Sequence, residues 1–171
     1  IRWIRNSTIF KNKISKKMKK IPNTFILDID GVMTTGQFIY SKRGKEYKIF
    51  GAHDSDGLKM LKEKIKILFV TSDKRGFKIS YQRITKDLGF KITILDEKIR
   101  YDYFKKKIGL KNFIYMGDGY YDARILKECF FGICPKNARI EARKNSNYIT
   151  PSKSGEGAVL DACLKIKNKF F

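Results

Sequence analysis

The chain has 171 residues, of which 42% are hydrophobic, and this length and composition suit one domain with a single core. No apolar run reaches the ~20 residues that a membrane-spanning helix needs, so we predict no membrane span. The net charge of +21 attracts anions of any kind, but the basic residues are spread along the chain without a basic-aromatic motif, so we expect no specific nucleic acid partner.

Residues 1–22 form a basic leader that holds eight basic residues and no acidic one. Phe10, Ile14, Met18 and Ile21 fall at helical spacing between lysines. We expect this leader either to be a helix that packs on protein or to be disordered, in preference to a helix on a membrane surface. Residues 23–171 are predicted to form one domain.

From residue 24 onward, short apolar runs alternate with amphipathic segments. Strands are predicted at 25–27, 67–70, 92–95, 113–116 and 131–134. Helices are predicted at 57–64, 77–88, 99–108, 121–128, 138–144 and 158–169. A further pair of strands, 37–40 and 46–50, flanks the turn 41–44 as a hairpin. These repeated strand–helix units predict an α/β fold, with a Rossmann-like parallel sheet and helices on both faces.

The cysteines and the histidine limit the chemistry that is available. The three cysteines are Cys129, Cys134 and Cys163, and they form no C-x-x-C pair. We therefore predict reduced, buried thiols in a cytoplasmic protein. Because His53 is the single histidine, a metal site with several histidines is excluded.

The strongest chemical signal is Asp28-Ile29-Asp30-Gly31, which follows a short apolar run. In an extended segment Asp28 and Asp30 point the same way. Two adjacent carboxylates are costly unless a cation or a proton lies between them. An Asp-Gly turn or a helix cap would explain Asp30 and Gly31, but it would not explain Asp28.

Three weaker signals also stand at predicted strand ends or helix starts. They are Gly117-Asp118-Gly119 with Asp122, the pair Thr71-Ser72, and a basic residue, Lys98 or Arg100, after Leu95. Each alone has an ordinary explanation as a loop, a cap or a solvated side chain. Because ligands bind beyond the carboxyl ends of parallel strands, the four signals together predict one site.

The order of these motifs resembles the haloacid dehalogenase signature, D-x-D-G-V-x-T, then a hydroxyl, then Lys or Arg, then G-D-x-x-x-D. More closely, the chain is similar to the 3-deoxy-D-manno-octulosonate 8-phosphate phosphatase group, which includes phosphatase-like domains attached to cytidylyltransferases of acidic nine-carbon sugars. The supporting stretches are 36–40, 50–61 and 155–159, and the match covers about residues 22–168. The resemblance implies the haloacid dehalogenase fold with a small hairpin in place of a large cap domain.

The resemblance also implies a phosphoryl-transfer site with Mg²⁺. Asp28 would be the nucleophile and Asp30 the general acid/base, with its backbone carbonyl facing the metal. Asp118 would hold Mg²⁺ with Asp28, and Asp122 would orient it. The remaining implied site residues are Thr71, Ser72 and Gly31 at the phosphate, Lys98 or else Arg100 as the neutralising cation, and Lys74 and Arg75 toward an acidic sugar.

Three departures from the group's pattern concern the substrate more than the chemistry. Gly119 stands where the group commonly has a second Asp, which removes one acid near the metal. Residues 71–75 differ from the usual Thr-Gly-Arg, and the stretch between Leu95 and Ile99 looks shortened, which leaves the choice between Lys98 and Arg100 open.

We therefore predict a cytoplasmic, Mg²⁺-dependent phosphatase that acts on a phosphorylated acidic sugar, as in lipopolysaccharide biosynthesis. The substrate would be 3-deoxy-D-manno-octulosonate 8-phosphate or a nine-carbon analogue. The alternative is a binding or assembly domain of low activity. The resemblance further implies a homo-oligomer, a tetramer in which the hairpin covers a neighbour's site. A hairpin that folds onto its own core is the alternative.

Overall fold

The computed structural model of the chain describes residues 21–171, so Phe10, Ile14 and Met18 of the leader lie outside the described residues. Its strands are β1 (Thr24–Leu27), β2 (Thr34–Ser41), β3 (Gly44–Phe50), β4 (Lys66–Thr71), β5 (Lys91–Ile94), β6 (Ile114–Met116), β7 (Phe131–Cys134) and β8 (Tyr148–Ile149). Its α-helices are α1 (Asp54–Leu61), α2 (Phe77–Tyr81), α3 (Glu97–Lys107), α4 (Asp122–Glu128), α5 (Ile140–Asn145) and α6 (Ala158–Phe170).

Six strands form one parallel sheet in the order β5-β4-β1-β6-β7-β8. Strand β1 lies at the centre and pairs with β4 on one side and β6 on the other. Because the strands are parallel, the carboxyl ends of β1, β4 and β6 meet at the same edge of the sheet. The predicted α/β fold with a parallel sheet is confirmed.

Alternating side chains of the strands fill a separate core on each face of the sheet, as the strand period of two requires. Phe25 and Leu27 of β1 belong to the core beneath α1 and α6. Ile26, between them, belongs to the opposite core, which also contains buried residues of α3, α4 and α5. The sheet is therefore covered on both faces by helices, as predicted.

One long-range contact joins the first helix to the last. The carboxylate of Asp54, at the start of α1, accepts hydrogen bonds from the backbone amides of Val159 (2.8 Å) and Leu160 (3.3 Å) in the first turn of α6. Gly57 lies so close to α6 that a Cβ there would be 2.7 Å from the Cα of Leu160. Helices α1 and α6 thus pack at close range, and a side chain at position 57 would separate them.

Strands β2 and β3 form an antiparallel hairpin outside the main sheet. The prediction of a small hairpin is confirmed, although both strands are longer than predicted and the turn is shorter. Much of its apolar surface is exposed, as shown by the relative exposures of Ile39 (50%), Tyr40 (54%), Tyr47 (63%) and Ile49 (45%).

Several element boundaries differ from the sequence-based predictions for physical reasons. Helix α1 begins three residues before the predicted start, because Gly57 weakens the helical pattern but is accommodated by the packing on α6. The predicted helix over 77–88 divides into α2 and a π-helical segment, Gln82–Asp87. Strand β8 was not predicted, because its two residues are too few to show an alternating pattern.

The three cysteines lie in the described part of the chain, are buried and form no disulfide, as predicted. Across residues 21–171, no helix has both the length and the apolar character needed to cross a membrane.

Candidate active site

A pocket of about 360 Å³ opens at the carboxyl edge of the sheet, and most of the residues predicted for the site line it. The lining residues from the predicted set are Asp28, Asp30, Gly31, Thr71, Ser72, Asp118 and Asp122. They lie at or just beyond the carboxyl ends of β1, β4 and β6. The convergence of three separate strand ends is what the sequence motifs predict.

The turn after β1 brings its backbone close to the loop Gly117-Asp118-Gly119. The amide of Asp28 donates to the carbonyl of Met116 (2.9 Å), which extends the pairing of β1 with β6 by one residue. Gly31 has a φ of +81°, and a Cβ there would lie 2.1 Å from Oδ2 of Asp118. The hydroxyl of Thr34 accepts from the amides of Gly31 and Gly36, both at 3.2 Å, and fixes the turn.

Asp28, Asp118 and Asp122 form a carboxylate cluster, with one oxygen of each lying within 4.8 Å of the others. Hard carboxylate oxygens are the ligands that Mg²⁺ prefers, so the donor set fits this cation. Oδ2 of Asp122 accepts from the amides of Asp118 (3.2 Å) and Gly119 (3.0 Å). These bonds fix the loop that carries Asp118.

Burial and the charges of neighbouring carboxylates raise the pKa values of two of these acids. Burial raises the pKa of Asp28 to about 7, with the carboxylates of Asp122 and Asp30 adding to the rise while Arg100 opposes it. Burial likewise raises the pKa of Asp118 to about 8, helped by the charge of Asp28 and then that of Asp122. A divalent cation among these oxygens would reverse both shifts, because it favours the charged form.

Arg100 lies buried behind the cluster and contacts two of its members. Its guanidinium is 3.2 Å from Asp28 and 3.3 Å from Asp122, and it donates to the hydroxyl of Tyr115 at 3.0 Å. That hydroxyl in turn donates to Asp122 at 2.6 Å. Burial would lower the pKa of Arg100, but the surrounding oxygens outweigh it and the net shift is upward.

Of the two basic residues predicted for this role, only Arg100 contacts the carboxylate cluster. Lys98 is exposed, and its backbone amide is bonded to the capping Asp96 at the start of α3 (2.9 Å). Two residues along an α-helix turn through about 200°, so Lys98 and Arg100 face opposite sides. Lys74 and Arg75 are also exposed and lie outside the residues that line the pocket.

Two lysines of the hairpin contact acidic residues of the site, and Lys48 is not among the residues predicted from the sequence. Lys48 contacts Asp30, and both Lys48 (2.8 Å) and Lys45 (2.6 Å) contact Asp73, which follows β4. The side chains of the two lysines are 0% and 5% exposed. Burial of Asp73 is outweighed by these two lysines, which lower its pKa to about 2. The sequence signal that could have identified Lys48 is the alternation of side chains along β3, which places Lys48 on the face opposite Tyr47 and Ile49.

The comparisons with known proteins agree with this geometry. The model of the haloacid dehalogenase-like hydrolase family matches residues 4–162. A 3-deoxy-D-manno-octulosonate 8-phosphate phosphatase from Haemophilus influenzae is 30% identical over 138 residues, which cover 78% of this chain and 76% of the relative.

Two similar proteins of known structure contain a metal ion, and one of them also contains a phosphate ion and a sugar. The phosphatase of this name from Moraxella catarrhalis, in complex with a magnesium ion, a phosphate ion and the sugar KDO, is 31% identical. The match covers 85% of this chain and 86% of that one, with a TM-score of 0.72. A cobalt-bound phosphatase from Haemophilus influenzae is 25% identical over 86% of this chain and 88% of that one, with a TM-score of 0.73.

Proposed function

The chain belongs to the haloacid dehalogenase-like hydrolases, and on that premise we propose that it is a Mg²⁺-dependent phosphatase of an acidic sugar phosphate. The substrate would be 3-deoxy-D-manno-octulosonate 8-phosphate or a nine-carbon analogue. The observation that carries the proposal is the carboxylate cluster beyond the ends of β1 and β6. In this cluster Asp28 lies 3.2 Å from the buried Arg100, and one of its oxygens lies within 4.8 Å of oxygens of Asp118 and Asp122, which would hold the metal.

The first half of the reaction transfers the phosphoryl group to the protein. An oxygen of Asp28 attacks phosphorus, and the bond from phosphorus to the sugar oxygen breaks. Asp30 gives its proton to that oxygen, which leaves as the sugar hydroxyl. The products of this step are the free sugar and an aspartyl-phosphate on Asp28, with Asp30 now ionised.

The second half returns the protein to its starting state. Asp30 takes a proton from a water molecule as the water oxygen attacks phosphorus. The bond from phosphorus to Asp28 breaks, inorganic phosphate leaves, and Asp28 is again a carboxylate. One carboxyl group thus serves as acid and then as base, so no further proton donor is needed.

The remaining residues have supporting roles in this scheme. Arg100 offsets the negative charge of Asp28 and the phosphate, which would otherwise repel each other. Thr71 and Ser72, at the end of β4, line the pocket where they can bind phosphate oxygens. Mg²⁺, held by Asp118, Asp28 and the backbone carbonyl of Asp30 and oriented by Asp122, would neutralise the phosphate oxygens.

The hairpin supports the choice of an anionic sugar as substrate. Phe38 and Lys45 line the pocket, and the ammonium of Lys45 is 3.4 Å from the centre of the Phe38 ring. A lysine and an aromatic face are suited to an acidic, partly apolar sugar. The relatives named for 3-deoxy-D-manno-octulosonate 8-phosphate support the same class.

We further propose that the protein is a cytoplasmic homo-oligomer, a tetramer. The hairpin leaves Ile39, Tyr40, Tyr47 and Ile49 exposed in the single chain, and such a group of apolar side chains favours a protein partner. The contacts of Lys45 and Lys48 show that the other side of the hairpin meets its own chain. One face of the hairpin thus packs on its own chain, and we propose that the other face packs on a neighbouring subunit.

The rival proposal, a binding domain with little turnover, predicts the loss of the nucleophile or of the general acid/base. Asp28 and Asp30 are both present and both line the pocket. The test is an assay of phosphate release from a panel of phosphorylated sugars with Mg²⁺, repeated after EDTA and after Mg²⁺ is restored. Turnover of one acidic sugar phosphate that disappears in EDTA is expected. Undiminished turnover in EDTA, or no turnover of any sugar phosphate, would refute the proposal.

A further inference from the structure

A buried lysine with no part in the scheme above lies beside the proposed general acid/base. The side chain of Lys48 is 0% exposed, whereas its neighbours in β3, Tyr47 and Ile49, are 63% and 45% exposed. Because side chains alternate along a strand, Lys48 points toward the pocket and its neighbours point away. A fully buried lysine is rare unless acceptors surround its ammonium group.

The acceptors around Lys48 hold its ammonium group in one place. The Nζ atom lies 2.8 Å and 2.9 Å from the two carboxylate oxygens of Asp30. It is also 2.8 Å from Asp73 and 2.8 Å from the hydroxyl of the buried Ser80 in α2. An ammonium group has three protons, and three separate side chains accept them here.

From these contacts we infer that Lys48 is a positioning residue that holds the carboxyl group of Asp30 in place for proton transfer. The inference rests on the proposed function, in which Asp30 exchanges a proton with the sugar oxygen and then with water. Proton transfer requires an acid or base to lie within about 3 Å of the reacting oxygen. The other side-chain contact of Asp30 within the described residues, from the Thr71 hydroxyl, is long at 3.5 Å.

A comparison of two substrates with different leaving groups distinguishes a positioning role of Lys48 from a merely structural one. A sugar oxygen leaves as a strongly basic alkoxide unless it is protonated, so its departure depends on a well-placed Asp30. The nitrophenolate of p-nitrophenyl phosphate is a weak base and leaves without a proton. If Asp30 is displaced, the first step should therefore slow for the sugar phosphate only. The second step, in which water attacks phosphorus, should slow for both substrates.

The first experiment compares Lys48→Met with Lys59→Met, which makes the same charge change at a lysine whose side chain is 63% exposed. With 3-deoxy-D-manno-octulosonate 8-phosphate, we expect Lys48→Met to lower kcat about 100-fold, within the usual range for general acid–base catalysis. With p-nitrophenyl phosphate, the first turnover should stay close to the wild-type rate and later turnovers should slow. Nitrophenol should then appear as a burst equal to the enzyme concentration.

The same comparison contains the outcome that overturns the inference. Equal losses in the first turnover of both substrates, with no burst, would mean that Lys48 only supports the fold. Lys59→Met should match wild type with both substrates. Ser80→Ala keeps every charge but removes one acceptor of Lys48, so it should show the same loss of sugar phosphate turnover and the same nitrophenol burst, more weakly. If Lys48→Met does not fold, this variant decides between the two roles.

A third variant distinguishes failure of this inference from failure of the proposed function. Asp30→Asn should lose sugar phosphate turnover and keep a nitrophenol burst, because it removes the proton that Lys48 is inferred to position. If Asp30→Asn behaves this way while Lys48→Met and Ser80→Ala do not, the positioning role is wrong and the proposed function stands. If Asp30→Asn turns over the sugar phosphate normally, the proposed mechanism itself is wrong.

Discussion

The guanidinium of Arg100 lies 3.2 Å from the carboxylate of Asp28, and both side chains are largely shielded from water. Arg100 is the partner cation of two buried carboxylates, Asp28 and Asp122, so its loss would be strongly destabilising. Arg100 also places a permanent positive charge directly behind the proposed nucleophile. This contact favours Arg100 over Lys98 for the proposed neutralising role and leads to the first prediction.

We expect Arg100→Lys to lower kcat for phosphate release about 100-fold, similar to the loss of one preorganised donor in other enzymes. A lysine keeps the charge but cannot reach Asp28, Asp122 and Tyr115 at once, because its donors sit on one atom. Lys98→Ala is the matched test of the other candidate and should leave kcat unchanged. The reverse result, with Lys98 required and Arg100 dispensable, would contradict the assignment.

Asp28→Asn should reduce phosphate release by ~10⁴-fold or more, because an amide cannot attack phosphorus. The fold should survive. In metal-free buffer at pH 8 the variant should melt at a higher temperature than wild type. The raised pKa of Asp28, about 7, means that its ionisation above pH 4 opposes folding, and the asparagine removes that cost. Retention of a tenth of wild-type activity would exclude Asp28 as the nucleophile.

Gly119→Asp should lower the Mg²⁺ concentration needed for half-maximal activity about tenfold, because a fourth carboxylate adds charge beside the cluster. A Cβ at position 119 would be 3.3 Å from Asp122, so the added acid crowds the site when no metal is bound. The variant should therefore melt lower than wild type in EDTA and gain more from Mg²⁺. Gly119→Asn is the control, and an equal effect of the neutral side chain would rule out the electrostatic explanation.

Asp73→Asn should destabilise the protein at pH 6, as measured by urea unfolding, and the difference from wild type should shrink toward pH 3. The pKa of Asp73 is lowered to about 2 in the folded state, below the ~3.9 of an unfolded chain. A carboxylate of this kind stabilises the fold above the unfolded pKa, and the effect is lost as pH falls through the folded one. Asp56→Asn, at an exposed position, should show no such trend.

Replacing Tyr47 and Ile49 together by Ser should dissociate the proposed tetramer while leaving Lys48 in place. The two side chains are exposed on the face of β3 opposite Lys48, so the change removes apolar surface without touching the pocket. Sedimentation velocity should show smaller species, with Leu164→Ser, at another exposed apolar position, as the control. A wild-type protein that sediments as a monomer would contradict the oligomer.

The acidic motifs could be predicted because each is a local pattern at the end of an apolar run. Asp28, Asp118 and Asp122 needed only the rule that parallel strands end at one edge. The choice between Lys98 and Arg100 could not be made, since it depends on the rotation of α3, and an error of one residue in its start turns the helix by about 100°. Lys48 was missed because its partners lie far away in sequence, with Asp30 18 residues before it and Ser80 32 residues after it.

The hydrogen bonds from the first turn of α6 to Asp54 have a consequence for how the molecule is made. During synthesis the proposed nucleophile, Asp28, leaves the ribosome long before Val159. The buried carboxylate of Asp54 in α1 gains its hydrogen-bond donors only when Val159 and Leu160 have been made. Contacts between residues so distant in sequence form late, because closing the long intervening loop is entropically costly. A nascent chain that stalled before α6 would carry every residue of the proposed site and would still lack the packing that fixes α1.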